Sequence, residues 1–299
     1  MTTADQRAPL LLARQEKAHG RRPRGLRYQR VLRGVYLPAD AEPTLPDRCA
    51  AALLMGPADA VITGVTALHL FGVSVGSATP IRLATETALR RRTAGVRLTR
   101  TRRLPERTQR VARPVSAWID ACRELDLIEA VAAADWLVRL GRATGPDLAA
   151  AAEAASSRGC RTARRAAELT RSKVRSPKES ELRLLLTLTG LPEPRCNVAV
   201  GDDVHRIAEV DLLYDDFRVA VEYEGEQHRT DGWQWSVDIE RMEELIAAGY
   251  AVIRVTAARM RDPRGLVQVV HDQLRRRGYT GPAPSFNAEW CTLFDRRTH

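Results

Sequence analysis

Residues 209–228 read EVDLLYDDFRVAVEYEGEQH. Two strand-like runs, AEVDLLY and FRVAVEYE, flank Asp215-Asp216, and carboxylates enter each run two residues apart: Glu209 and Asp211, then Glu222 and Glu224. No other stretch restricts the fold so tightly, because carboxylates are depleted in strands and costly to bury unpaired. Side chains alternate faces along a strand. Ala208, Val210, Leu212 and Tyr214 therefore share a face with Val219, Val221 and Tyr223, and the carboxylates lie on the other. With Asp215-Asp216 as a two-residue turn, Leu212 faces Val219, Val210 faces Val221 and Glu209 faces Glu222. Asp211 then faces Ala220 and lies diagonal to Glu222, about 7–8 Å away by backbone. An odd-length loop would mix the faces, so the pattern requires an even one.

Carboxylates that face one another repel and raise one another's pKa, and a divalent cation relieves both effects. Mg²⁺ takes carboxylate, carbonyl, water and phosphate oxygens. Asp211, Glu222 and the Tyr223 carbonyl form a candidate ligand set, with Mg²⁺ or Mn²⁺ as the ion, and Glu224 extends the acidic site. His228, just past the second run, can shuttle a proton or touch a phosphate. Gln227 beside it can orient water or phosphate. His69, on an apolar helix face, reads as a packed histidine rather than a ligand.

The charge of the 299-residue chain is uneven. Residues 1–175 hold 31 Lys and Arg against 16 Asp and Glu, whereas the rest hold 16 against 21, within a net +10. A basic first half suits a polyanion and an acidic second half suits a metal. Ten arginines fall within residues 90–113. Arg90, Arg91, Arg92, Arg100, Arg102 and Arg103 are the candidate phosphate contacts on two strands around an Arg-rich turn, a ribbon that positions DNA without reading it. No run approaches about 20 apolar residues, and the apolar run near the N-terminus is too short for a signal peptide, so a cytoplasmic setting with no membrane partner is expected. Five scattered cysteines without a CxxC pair argue against a disulfide framework and a zinc site.

SPKE at 176–179 fits a helix start, with Ser at the N-cap, Pro at N1 and Glu at N3 of a capping box. From there the pattern reads α-β-β-β-α-β-α, a mixed sheet with helices on its faces. The expected fold is α/β, with a basic, mainly helical α+β domain over 1–174 and a second domain over 175–299.

Asp211, then ten residues, then Glu222-Tyr223-Glu224, after a Glu-bearing helix, resembles the core of the PD-(D/E)XK nuclease superfamily. The nearer resemblance is to very-short-patch-repair (Vsr-like) endonucleases. It rests on SPKESELR, which is similar to an ES-x-x-R motif, on GLP after the helix, on VEYEGEQH, on Asp238 and Arg241 one helical turn apart, and on GYAVIRVT. The resemblance implies a restriction-endonuclease-like core that cuts or nicks DNA with Mg²⁺. It makes Asp211 and Glu222 the principal metal ligands, with Glu179 reaching the ion through water. Glu224 stands where the superfamily has lysine. Residues 20–170 loosely resemble the N-terminal region of AbiEi-type antitoxin-like proteins.

The expected function is a Mg²⁺-dependent DNA endonuclease in repair, restriction or defence, with DNA as partner and no small-molecule substrate. The alternative is a non-catalytic, antitoxin-like DNA-binding regulator with a degenerate nuclease domain.

Overall fold

The computed structural model describes residues 10–18, 26–88, 93–201, 206–224 and 232–295, with the backbone alone for 206–207 and 232–239. The chain forms two compact units that interleave in sequence. One comprises Met1–Leu125 with Pro146–Arg164, the other Asp126–Gly145 with Arg165–His299.

In the first unit, β1 (Leu11–Leu12), β2 (Tyr28–Leu32) and β3 (Val35–Pro38) form an antiparallel sheet in the order β1-β3-β2, with α1 (Ala13–Ala18) after β1. Helix α2 (Leu45–Met55) has a complete capping box, because Thr44 accepts from the Asp47 amide and Asp47 returns to the Thr44 amide. A five-stranded sheet follows, built from β4 (Val61–Ile62), β5 (Ile81–Thr85), β6 (Val96–Arg100), β7 (Arg107–Thr108) and β8 (Val111–Ala112) in the order β6-β5-β4-β8-β7. Helices α3 (Gly64–Leu70) and α4 (Pro114–Ala121) pack together beside it, and Ile62, Leu68, Ile81, Leu83 and Trp118 are fully buried. One sequence expectation is corrected here. β5 and β6 pair parallel, Ile81 opposite Val96 through Thr85 opposite Arg100, whereas a tight turn joins only antiparallel strands.

Helix α5 (Leu127–Arg139) belongs to the second unit, α6 (Gly145–Ala154) lies almost wholly in the first, and α7 (Cys160–Leu169) is divided between them after Arg164. The second unit continues with α8 (Pro177–Thr187), β9 (Arg195–Gly201), β10 (Arg206–Tyr214), β11 (Val219–Glu224), α9 (Gly232–Ala247), β12 (Ala251–Thr256), α10 (Pro263–Arg276) and α11 (Ala288–Phe294). Its sheet runs β12-β11-β10-β9, with β11 and β12 parallel and the other pairs antiparallel. The protein is thus mixed α/β, with antiparallel and mixed sheets.

The sequence divides the chain at 174/175, which leaves α5 with the first half. In the structure α5 packs on α8. Asp135 of α5 accepts hydrogen bonds from Ser180 Oγ (2.8 Å), Arg183 (3.1 Å) and the Arg171 amide (2.6 Å). A buried carboxylate needs such partners, and only the second unit supplies them. Ser180 and Arg183, the Ser and Arg of the ES-x-x-R-like motif, are therefore engaged in joining α8 to α5.

The hairpin keeps the expected parity but not the expected register. Tyr214 pairs with Val219, Leu213 with Ala220 and Leu212 with Val221, two residues away from the pairing that a two-residue turn gives. The connection has four residues, a 3₁₀ turn over Asp215–Phe217 closed by Arg218 in the left-handed region (φ 47°). A two-residue type I′ turn would place both aspartates at positive φ, whereas this connection needs it at one residue. Both faces of the central strands are also covered. Leu212 and Leu213 point opposite ways and both are buried, under α8 and α9 among other elements. The carboxylates therefore sit within a packed layer rather than on a wet sheet face.

Candidate functional site

Asp211 is the centre of the site. Its Oδ2 accepts a hydrogen bond from the Tyr223 amide at 2.8 Å, across the end of the β10–β11 ladder. The N–H and C=O of one strand residue point to the same side, so the Tyr223 carbonyl also faces β10, past the last paired residues. Continued by one residue, the observed register sets Glu222 directly across from Asp211 rather than diagonal to it. On the other side, the β9–β10 register sets Asn197, at φ 46°, across from Asp211.

Glu179 also faces this cluster. Ser176 caps α8 by accepting from the Glu179 amide, as the capping motif predicts, but Glu179 does not return the bond. Its carboxylate, 7% exposed, accepts instead from the Arg175 amide (2.8 Å) and from Asn197 Nδ2 (2.7 Å). Burial pushes the Asp211 carboxyl up to about 7, the Glu179 and Glu222 charges push the same way, and the Tyr223 amide and Arg241 oppose them. Asp211 is thus a carboxyl at which negative charge is poorly compensated.

The other carboxylates each hold an arginine. Arg241 of α9 bonds Glu222 Oε1 at 2.6 Å and the Glu209 carbonyl at 3.0 Å. Arg254 of β12 pairs with Glu224 at 2.8 Å, and Arg175 donates to Glu209 Oε2 at 2.7 Å. Among the described residues no three His, Cys, Asp or Glu side chains converge as a ready metal cage. Beside the carboxylates lies a cavity of about 480 Å³ lined by Arg139, Ser172, Lys173, Arg175 and Asn197, and Asn197 is shared with Glu179. That cavity thus carries three cations, of which Arg175 also pairs with Glu209.

The structure therefore brings together Asp211, Glu222, Tyr223, Glu179 and Arg241 of the sequence candidates. Glu224 lies further along the same strand, with Arg254. Gln227 and His228 lie outside the described residues, as does the side chain of Asp238. Arg241, one helical turn from Asp238, places its guanidinium on Glu222. Arg175 and Asn197 belong to no motif that the sequence displays, and Arg254 only to GYAVIRVT. Arg175 had one signal, its place directly before the Ser176 cap; Arg254 had none beyond its place in YAVIRVT.

In the first unit, Arg90, Arg91 and Arg92 lie outside the described residues. Arg102 and Arg103 are exposed, and exposed Arg100 reaches the Glu86 carbonyl at 3.4 Å. His69 bonds the Gly76 carbonyl through Nε2 at 3.0 Å, a local contact from the last turn of α3 to the segment that follows it. Among the described residues no helix is long and apolar enough to cross a membrane.

Two proteins of Mycobacterium tuberculosis are similar to this chain. They are "Uncharacterized protein Rv2248" of strain ATCC 25618 / H37Rv and "Uncharacterized protein MT2308" of strain CDC 1551 / Oshkosh. Each is 28% identical over 242 residues, which cover 79% of this chain and 88% of the relative. No family model and no solved structure matches the chain.

Proposed function

We propose that the second unit is a restriction-endonuclease-like, Mg²⁺- or Mn²⁺-dependent DNA endonuclease domain of the Vsr-like kind, and that the basic first unit binds DNA. The observation that carries this reading is Asp211. It is a half-buried carboxyl fixed by the Tyr223 amide, set across from Glu222 and repelled by Glu179, and a cavity that carries Arg139, Lys173 and Arg175 meets the cluster at Asn197. Its poorly compensated charge and the carboxylate and carbonyl oxygens near it fit a hard divalent cation, with Asp211, Glu222 and the Tyr223 carbonyl as the holding groups and Glu179 behind them. When bound, such an ion supplies an acidified water and neutralises charge that builds on the scissile phosphate.

The chain's own residues have separate tasks. Arg139, Lys173 and Arg175 would attract the DNA backbone to the mouth of the site. Arg241 holds Glu222 in place and counters its charge until a cation takes over. Glu224, paired with Arg254, does not offer the ammonium that a lysine would offer there.

A second reading is favoured by that same pairing. Arg241 on Glu222 and Arg254 on Glu224 neutralise two carboxylates without any ion, as a non-catalytic DNA-binding regulator would require. Incubation of supercoiled plasmid with the full chain and Mg²⁺ or Mn²⁺ separates the two. The nuclease reading expects nicking that Asp211→Asn abolishes. DNA retention without cleavage under either metal would favour the regulator, and cleavage that survives in Asp211→Asn would remove Asp211 from the site.

A further inference from the structure

A second cavity is lined wholly by residues of the first unit and shares none with the carboxylate site. It encloses about 700 Å³, within the usual range for small-ligand sites. Three stripes of side chains frame it. Arg82 and Ala84 of β5 stand beside Arg97 and Thr99 of β6 in register, with Thr101 just beyond. Ser116, Ile119, Asp120 and Arg123 recur at the spacing of one helical face on and just after α4. Ala151, Ala154, Ala155 and Arg158 repeat that spacing on and just after α6.

The walls are built rather than incidental. Arg82, almost fully buried, is held by both oxygens of Glu124 at 2.7 and 2.9 Å and by the Ser77 and Pro80 carbonyls. Thr63 Oγ1 bonds Asp120 Oδ2 at 2.5 Å. Gly159, at φ 89°, lets the segment that bears Ser157 and Arg158 approach the end of α4. A Cβ there would stand 2.5 Å from the Cys122 carbonyl oxygen.

Charge and composition then narrow the occupant. Five arginines line the space against Glu106, Asp120 and Glu124. Glu124 is already committed to Arg82 and Arg97. Among the described residues, the Arg103 and Arg158 guanidiniums have no hydrogen-bond or ion-pair partner. Thr99, Thr101 and Ser116 add hydroxyls, the alanines of the α6 stripe keep one wall clear, and no aromatic ring lines the cavity. Arginine forks match phosphate oxygens, and hydroxyls match those of a sugar.

We propose that this cavity binds a phosphate monoester carried on a sugar. Arg103, Arg123 and Arg158 hold the phosphate, and the Thr99, Thr101 and Ser116 hydroxyls meet the sugar. Such a group comes from a free sugar phosphate or mononucleotide, or from the 5′-phosphorylated end of a nucleic acid strand. The inference goes beyond the nuclease reading and does not rest on its carboxylate site, because every lining residue belongs to the first unit.

Calorimetric titration of the full chain tests it, with ribose 5-phosphate, a 5′-mononucleotide, and a DNA dinucleotide with and without its 5′-phosphate. Arg158→Gln removes an exposed cation, and Ala154→Phe fills the space without changing charge. We expect saturable binding of at least one phosphorylated ligand, weakened at least tenfold by both substitutions, with the ligand-free melting midpoint unchanged. Binding of the free esters alone assigns a small-molecule site. Binding of the 5′-phosphorylated dinucleotide but not its 5′-hydroxyl form assigns a strand-end site. No binding at millimolar concentration, or binding that Ala154→Phe leaves intact, overturns the proposal.

Discussion

Asp135 of α5 and Arg183 of α8 meet at 3.1 Å with both side chains out of solvent, the carboxylate 2% and the guanidinium 0% exposed. The same Arg183 nitrogen donates to the Leu169 carbonyl at 2.8 Å. Removing one partner of a buried pair strands the other charge, at a cost of about 3–5 kcal/mol. Asp135→Ala should therefore lower the unfolding free energy of the second unit by about that amount, read by urea denaturation. A loss below about 1 kcal/mol would mean that water reaches the pair.

Asp211 predicts a stability that depends on pH. Its carboxyl titrates near 3.8 when unfolded and near 7 when folded. Between those values the folded chain holds more protons than the unfolded one, so stability declines as pH rises from about 4 to about 7 and levels off above. With chelator present, the melting midpoint should fall across that window. Asp211→Asn, neutral and similar in shape, should flatten the profile and exceed the wild type at pH 8. Parallel profiles for the two proteins would refute the assignment.

Arg241 stands on Glu222 at 2.6 Å, where on the nuclease reading a cation would bind. Arg241→Gln removes a competing positive charge, so the Mg²⁺ concentration that half-stabilises the protein at pH 8 should drop roughly tenfold, equivalent to about 1.4 kcal/mol. The metal-free variant should melt lower than the wild type, since Glu222 loses its counter-charge beside Asp211. An unchanged Mg²⁺ midpoint would show that Glu222 is not a holding group.

Trp290 of α11 is fully buried, its Nε1 donates to the Leu185 carbonyl at 2.9 Å, and its ring packs against Phe286 and Phe294. Trp290→Ala should cost about 3–5 kcal/mol in thermal or chemical unfolding. Trp290→Phe should cost less but leave the Leu185 carbonyl unpaired, about 1–3 kcal/mol. If both are neutral, α11 is not part of the folded unit.

How far the sequence reveals this arrangement depends on the range of the interaction. The period of two in EVDLLY and VAVEYE assigns Asp211, Glu222 and Glu224 to one face, and the observed ladder keeps that parity. It does not fix turn length, since loops of two and four residues preserve the same alternation, and the register moved by two. The Ser176 cap of α8 is local and legible from SPKE; the place of the Glu179 side chain is not, because its partner Asn197 comes from a strand distant in sequence. Arg241 and Arg254 are long side chains that find carboxylates on neighbouring elements, and nothing in their own segments states the choice. α11 escaped notice because seven residues carry barely two turns of periodicity, although Asn287 marks its start by accepting from the Trp290 amide at 2.9 Å.

The path of the chain has a consequence for how such a protein can be inherited. The backbone passes between the two units three times, after Leu125, Gly145 and Arg164. A gene rearrangement that moved residues 175–299 alone would carry the hairpin and its carboxylates but leave Asp135 behind. Arg183 would then keep only the longer contact of its Nη1 with Glu193, at 3.7 Å. The hairpin unit keeps its buried α5–α8 contact only when the α5 segment is inherited with it.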